Sequence, residues 1–379
     1  MSSLYVHVPF CERKCLYCDF YSVTGTERVK DFLAALVEEI ARLKDHGKGA
    51  TFETIFFGGG TPSLLTPGQL ERILLHLHAV YRIAPGAEVT LEANPGTVTG
   101  ENLRAFRSLG VNRLSIGVQS FHDHELKILG RIHDRMEAFQ CVELARAAGF
   151  ANISLDLIYS VPGQTLAGWE ENLRTTLDLT PQHVAAYSLI VEEGTPLDRM
   201  VRAGQVRMNP ADLEAEMYER AMEVFGAHGY DHYEVSNYAL PGFRCHHNEN
   251  YWSHENYLGF GPSAHSFWQG DDGTSGRRWW NVADLSNYLE RLRGGVLPVE
   301  SEERVGPKEM LNERIFLGLR SGGVDLAGLR RDFDHDRKAL QTTVCRLLDE
   351  RMATLEGDTL RLTSKGYLLC DEICRRLLP

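Results

Sequence analysis

The sequence predicts an α/β protein in two parts: a parallel sheet with helices outside, closed or partly closed like a barrel, then a small helical, winged-helix-like module. Three observations carry this. Up to about residue 200, six short β-like runs alternate with amphipathic helical stretches. After Gly194 the alternation stops, and a long helical pattern gives way to an aromatic- and glycine-rich stretch. From about Pro307 the order becomes helix, turn, helix, helix, hairpin, helix. Successive β/α alternations build parallel sheets whose chemistry sits at the carboxyl ends of the strands.

The predicted strands cover residues 4–8, 54–57, 88–92, 113–118, 153–158 and 183–189. Helices are predicted over 28–43, 67–81, 101–109, 135–148 and 166–179. In the first of these, Phe32, Leu33, Leu36, Val37 and Ile40 recur at three- and four-residue spacing, the mark of one buried stripe. Gly110 and Gly149 follow two helices where a left-handed cap is expected. A long helix over 210–226 and a strand over 230–235 come next, and residues 237–281 hold Trp252, Trp268, Trp279 and Trp280. The closing module has a turn at Gly322-Gly323-Val324-Asp325-Leu326, a hairpin over 353–362 turning at Gly357-Asp358, and a final helix from Lys365. The expected divisions are 1–200, 201–300 and 301–379.

Lys and Arg total 40 against 52 Asp and Glu, a net charge of −12 over 379 residues. That acidity argues against a general nucleic-acid binder, which needs a basic face. No apolar run is long enough to span a bilayer, and MSSLYVHVPF lacks the charged head and apolar stretch of an export signal. A cytoplasmic protein is expected, one that would visit a membrane through a partner. Eight cysteines in such a chain are not expected to form a disulfide framework. Cys141, Cys245, Cys345, Cys370 and Cys374 are scattered, mostly in apolar-periodic segments, with Cys141 and Cys345 expected in helix cores.

The other three form a cluster: Cys11-Glu-Arg-Lys-Cys15-Leu-Tyr-Cys18. A structural zinc site uses four N or S ligands, whereas Asp19-Phe20-Tyr21 follow here. Three thiolates on a loop after a strand suit a [4Fe–4S] cluster with one iron left open; a zinc or redox loop is the competing reading. The second strand runs into Gly58-Gly59-Gly60-Thr61-Pro62, where glycines let the backbone approach a ligand closely. Further strand ends are expected to carry polar residues, Glu92, Gln119, Arg131 and Asp156. A carboxylate there can accept from ribose hydroxyls, and Arg can fork onto a carboxylate. Each alone suits a cap or salt bridge; together they suit a ligand.

The C-x3-C-x2-C spacing resembles the radical S-adenosylmethionine (SAM) superfamily. The stretches YVHVPFCERKCLYCDF, FFGGGTPSLL, LEANPG, RLSIGVQSF, LGRIHD, DLIYSVPGQT, HHNENYW and YLGFGPSAHS place the resemblance in its oxygen-independent coproporphyrinogen III oxidase-like branch, nearest the HemW-type haem chaperones. The resemblance implies a partial (β/α)6 radical SAM barrel with a [4Fe–4S] cluster on Cys11, Cys15 and Cys18. It implies SAM contacts at Tyr5, Gly59, Gly60, Thr61, Glu92, Gln119, Arg131 and Asp156. His247-Asn248-Glu249-Asn250-Tyr251-Trp252 matches the H-N-x-x-Y-W motif associated with haem binding in that group. A neutral imidazole is a common haem ligand, and Tyr and Trp can cover a macrocycle. The motif implies haem contacts at His247, Asn248, Tyr251 and Trp252. His246, His254 and His265 are alternative nitrogen donors; without the motif, the segment reads as packing against the barrel.

Two departures separate the chain from the porphyrinogen-oxidising enzymes of the branch. Those carry a further Cys two positions after the third ligand, where this chain has Phe20, and an N-terminal extension, where this chain reaches its cysteine loop after ten residues. The implied function is therefore a chaperone that binds haem and passes it to respiratory or other haem proteins. The alternative is a radical SAM oxidase of coproporphyrinogen III in porphyrin biosynthesis, in which a 5′-deoxyadenosyl radical abstracts hydrogen from a propionate side chain.

Overall fold

The computed structural model describes residues 2–333 and 337–378, excluding the side chains of 337–339. β1 (Ser2–Val8) passes through β2 (Phe10–Cys11) and β3 (Val23–Thr24) into α1 (Val29–Arg42). The alternation continues with β4 (Phe52–Gly59), α2 (Pro67–Val80), β5 (Ile83–Ala93), α3 (Gly100–Ser108), β6 (Arg113–Gln119), the short α4 (Asp123–Leu129), α5 (Arg135–Ala147), β7 (Ile153–Tyr159), α6 (Leu166–Asp178) and β8 (His183–Ser188). All six expected strands form, in the order β1-β4-β5-β6-β7-β8, every neighbour parallel. The helices start where the sequence offers caps. Thr66, Thr99 and Asp134 each accept from the backbone N–H three residues on, in a reciprocal capping box. Gly110 and Gly149 take φ of +103° and +88° after α3 and α5.

The ladder is a row and not a ring. After α7 (Pro196–Arg202) and α8 (Ala211–Ala227), β9 (Asp231–Glu234) and β10 (Asn237–Ala239) add antiparallel beyond β8. At the other side, α9 (His246–Trp252) leads to β11 (Asn256–Phe260), which pairs parallel with β1. β12 (His265–Gln269), β13 (Gly276–Asn281) and, after α10 (Leu285–Arg293), β14 (Val299–Val305) continue antiparallel. The stretch read from sequence as a connector is thus sheet, and it lengthens the barrel wall on both sides to twelve strands. Its join to α1 is a buried carboxylate: Glu39 accepts from the Gly261 N–H at 2.8 Å, Tyr288 OH at 2.6 Å and Asn281 Nδ2 at 2.5 Å.

The C-terminal module packs α11 (Pro307–Leu319), α12 (Leu326–Asp332), α13 (Arg337–Asp349), α14 (Ser364–Tyr367) and α15 (Cys370–Leu377) around a three-stranded sheet. In it β17 (Thr359–Leu362) lies between β15 (Val324–Asp325) and β16 (Ala353–Glu356). The expected Gly-Gly turn holds β15, and Asp325 caps α12. Its core includes Phe267 of β12, so the module closes on the added wall of the sheet. Cys345, expected in a helix core, is exposed, because α13 turns that position to solvent; Cys141 is buried as expected. All eight cysteines are free.

Candidate functional site

The cysteine loop is tied at both ends. Phe10 and Cys11 pair with Val23 and Thr24, and the Gly25 N–H donates to the Cys11 carbonyl at 3.1 Å. In the middle, Leu16 donates to the Leu129 carbonyl and accepts from the Leu197 N–H. The loop therefore lies across the carboxyl ends of the strands, held from two other turns. Thr61 Oγ1 is 3.6 Å from the Cys11 sulfur and an Arg131 guanidinium nitrogen is 3.5 Å from that of Cys15. Burial pushes the Cys11 and Cys18 thiols up from their ordinary range.

The glycine triplet follows β4. Gly59 has φ +108°, and a Cβ on it would stand 2.6 Å from the His7 ring. A Cβ on Gly60 would stand 2.6 Å from the Phe10 carbonyl oxygen, the residue before the first cysteine. Only glycine fits either place. The Gly59 N–H donates to Glu92 Oε2 at 3.2 Å. Burial, with Asp156 nearby, raises the Glu92 carboxyl to about 8. Asp156 accepts from the Ser115 and Ser154 hydroxyls at 2.9 and 3.2 Å and is raised by burial to about 6. Tyr5 OH donates to His7 Nδ1 at 3.2 Å, and His7 Nε2 donates to the Tyr21 carbonyl at 2.8 Å. Gln119 takes φ +68°, which bends the chain out of β6 at the strand end.

All three cysteines open onto one cavity of about 1190 Å³. Tyr5, Gly59, Gly60, Thr61, Glu92, Gln119, Arg131 and Asp156 line the same cavity. Its far wall is the added sheet and α11, with His254, Tyr257, His265, Phe267 and Phe316. The haem-motif residues are placed differently. His247 and Asn248 line a smaller adjoining pocket of about 220 Å³, Tyr251 lines both, and Trp252 lines neither. His247 is 1% exposed. Its Nδ1 is 2.7 Å from Thr54 Oγ1 and its Nε2 3.0 Å from Tyr251 OH. Burial, with Arg113 close by, lowers this imidazole to about 3.

Two residues at the site were not singled out from sequence. Asn94 donates to Thr61 Oγ1 at 2.9 Å and accepts from Arg131 at 2.6 Å, bridging the glycine turn to the arginine. The LEANPG stretch held that signal. Arg113 opens β6 and is 2% exposed, lining the smaller pocket with Glu92, Asp156 and His183. Nothing in RLSIG distinguishes it from a solvent-facing strand start.

The donors fit the cofactors the motif implies. Three free thiols share a loop beside one guanidinium, and the cavity exceeds the ~300–1,000 Å³ common for one drug-sized ligand. Among the described residues no three Cys, His, Asp or Glu side chains converge as they would on a single ion. A cubane cluster takes each thiolate at a different iron, so its ligands stand further apart.

Comparison with known proteins agrees with this arrangement. The radical SAM superfamily matches residues 5–176 and the HemN C-terminal domain residues 305–369. The solved structure of coproporphyrinogen III oxidase (HemN) from Escherichia coli superposes over 100% of this chain and 90% of its own, at a TM-score of 0.84 and 21% identity. The fold is therefore that of the radical SAM proteins with a HemN-type C-terminal domain. At 36% identity over 377 residues, the chain is similar to the heme chaperone HemW of Bacillus subtilis, covering 98% of both. It is 33% identical to the mitochondrial radical S-adenosyl methionine domain-containing protein 1 of Mus musculus, covering 100% of this chain and 87% of the relative. The chain belongs to the HemW family.

Proposed function

We propose that the protein is a haem chaperone: it binds haem in the large cavity and passes it to haem-requiring proteins, those of respiration included. Cys11, Cys15 and Cys18 would hold a [4Fe–4S] cluster, and Tyr5, Gly59, Gly60, Thr61, Glu92, Gln119, Arg131 and Asp156 would hold SAM. When bound, the cluster and SAM supply one-electron chemistry or an ordered platform beside the haem.

One observation carries this reading. Among the described residues ten large apolar side chains are exposed, and five of them, Phe20, Ile132, Tyr187, Ile190 and Phe316, line this one cavity. Apolar surface concentrated in a concave site marks a binding place for an apolar ligand. Phe20, 69% exposed, stands where the porphyrinogen-oxidising relatives carry their extra Cys, so the wall offers apolar area in place of a thiol. Among the described residues no helix is long and apolar enough to cross a membrane. We place the protein in the cytoplasm.

Anaerobic haem titration, with and without a reconstituted cluster, tests the proposal alongside incubation with coproporphyrinogen III, SAM and reductant. A Soret shift without protoporphyrinogen supports the chaperone. SAM-dependent formation of protoporphyrinogen would overturn it in favour of the oxidase.

A further inference from the structure

We propose that His265, and not His247, supplies the nitrogen that ligates haem iron in the large cavity; this rests on the haem-binding reading above. Ligation needs an imidazole nitrogen whose lone pair is free and whose in-plane direction is open to the iron.

Among the described residues four histidines line the large cavity: His7, His133, His254 and His265. Three are engaged or enclosed. His7 has both nitrogens bonded, on Tyr5 OH and the Tyr21 carbonyl. His133 Nδ1 and His254 Nδ1 have no partner among the described residues but are shut inside the protein. His133 is buried, with Nε2 3.1 Å from the Val118 carbonyl. His254 is buried, stacks on Phe267 at 4.5 Å between ring centres, and puts Nε2 2.8 Å from Glu313 Oε2. His247 lies outside this cavity with both nitrogens bonded. To reach iron it would have to break both contacts and turn out of a stack with Phe56, whose ring centre is 4.9 Å away.

His265 differs in each respect. It opens β12 with an exposed side chain on the cavity wall and makes no hydrogen bond to the protein through its ring. The ring stacks on Trp280 at 5.7 Å and 21° between planes. Stacking covers a face and fixes the plane, while both nitrogens, on the ring edge, stay open. Phe267, two residues on, shares its strand face and lines the same cavity, giving the macrocycle an aromatic neighbour. Partial burial and the Arg278 cation lower the His265 pKa, which favours the neutral, ligating form.

The test is anaerobic haem titration of the full chain, read by the Soret band, by resonance Raman in the iron–histidine region and by the midpoint of thermal unfolding. The wild type should show histidine ligation. His265→Ala should lose that signature and bind haem roughly ten-fold or more weakly, and added imidazole should restore the spectrum. His247→Gln keeps hydrogen-bonding groups toward Thr54 and Tyr251 and should retain the signature. A wild-type spectrum in His265→Ala would overturn the inference. So would loss of the signature in a folded His247→Gln, or haem bound by the wild type without histidine ligation. No haem binding by the wild type would overturn the haem-chaperone reading itself.

Discussion

Arg131 places one guanidinium nitrogen 3.5 Å from the sulfur of Cys15 and another 2.6 Å from Asn94 Oδ1. The second nitrogen also donates to the Gly117 carbonyl at 2.8 Å. One side chain thus ties the cysteine loop to the ends of β5 and β6. A cation in that position donates toward the Cys15 sulfur and offers a partner to a ligand carboxylate. Arg131→Lys keeps the charge but cannot span three partners. Its SAM affinity should fall by about 2 kcal/mol, roughly thirty-fold, the usual scale for a lost charge-assisted hydrogen bond. Equilibrium dialysis against labelled SAM reads this; an unchanged constant removes Arg131 from the site.

The cluster assignment makes a separate demand. Cys11→Ser, Cys15→Ser and Cys18→Ser should each lose the about four irons and four sulfides expected per chain after anaerobic reconstitution. Cys141→Ser should keep them, since that thiol is buried in α5, away from the cavity. A normal iron content in Cys15→Ser would end the assignment.

Gly60→Ala probes the cysteine loop without touching a cysteine. The new methyl would meet the Phe10 and Val8 carbonyl oxygens, at 2.6 and 2.9 Å, so backbone has to move. A forced backbone shift costs on the order of 1–3 kcal/mol. The chain should still fold, with a lower unfolding midpoint and a reduced iron content. Wild-type values for both would show that the close approach is dispensable.

The acidity of Glu92 gives a pH dependence with a definite sign. In the folded chain this carboxyl holds its proton up to about pH 8, whereas an unfolded glutamate loses it near ~4.3. Between those values the folded state binds more protons, so stability is fully present below the unfolded value and declines as pH rises toward 8. Glu92→Gln cannot ionise and lacks this slope. The wild-type melting temperature minus that of Glu92→Gln should therefore fall from pH 5 to pH 8, by the equivalent of about 1 kcal/mol given cavity water. Parallel melting curves across that range would contradict the placement of Glu92.

Much of this was legible in the sequence because the relevant signals are local. Alternating apolar runs and helical stripes gave all six parallel strands, and Gly110 and Gly149 marked turns only a left-handed residue makes cheaply. Glu92, Gln119, Arg131 and Asp156 do share one cavity, but Arg131 enters from the turn after α4 and Asp156 from within β7 rather than from strand ends. What stayed hidden depends on distant partners. Glu39 lies on a helix with ordinary charge patterning, and only the arrival of Gly261, Asn281 and Tyr288 makes it a buried joint. Residues 256–281, inside the 201–300 stretch read as a connector, hid their strands because these are short and their pairing with β1 skips most of the chain. The sequence motif favours His247 over His265; the hydrogen bonds that tie both His247 nitrogens to Thr54 and Tyr251 appear only in the fold.

The apolar wall of the cavity yields the last prediction. Phe20 and Phe316 enter from opposite parts of the chain, the cysteine loop and α11, and both are exposed at 69% and 40%. Neither supports the core, so replacing them should leave the fold and the iron content unchanged. Haem bound between them would cover part of each ring, and burying ~50 Å² of apolar area contributes about 1 kcal/mol. Phe20→Ser and Phe316→Ser should therefore each weaken haem binding roughly five-fold. The side chains belong to separate elements, and distant sites act independently, so the double change should approach the product of the two. Leu75→Ser, exposed on α2 but away from the cavity, serves as the control. Equal haem affinity for all four variants would mean that the exposed apolar wall is not where haem sits.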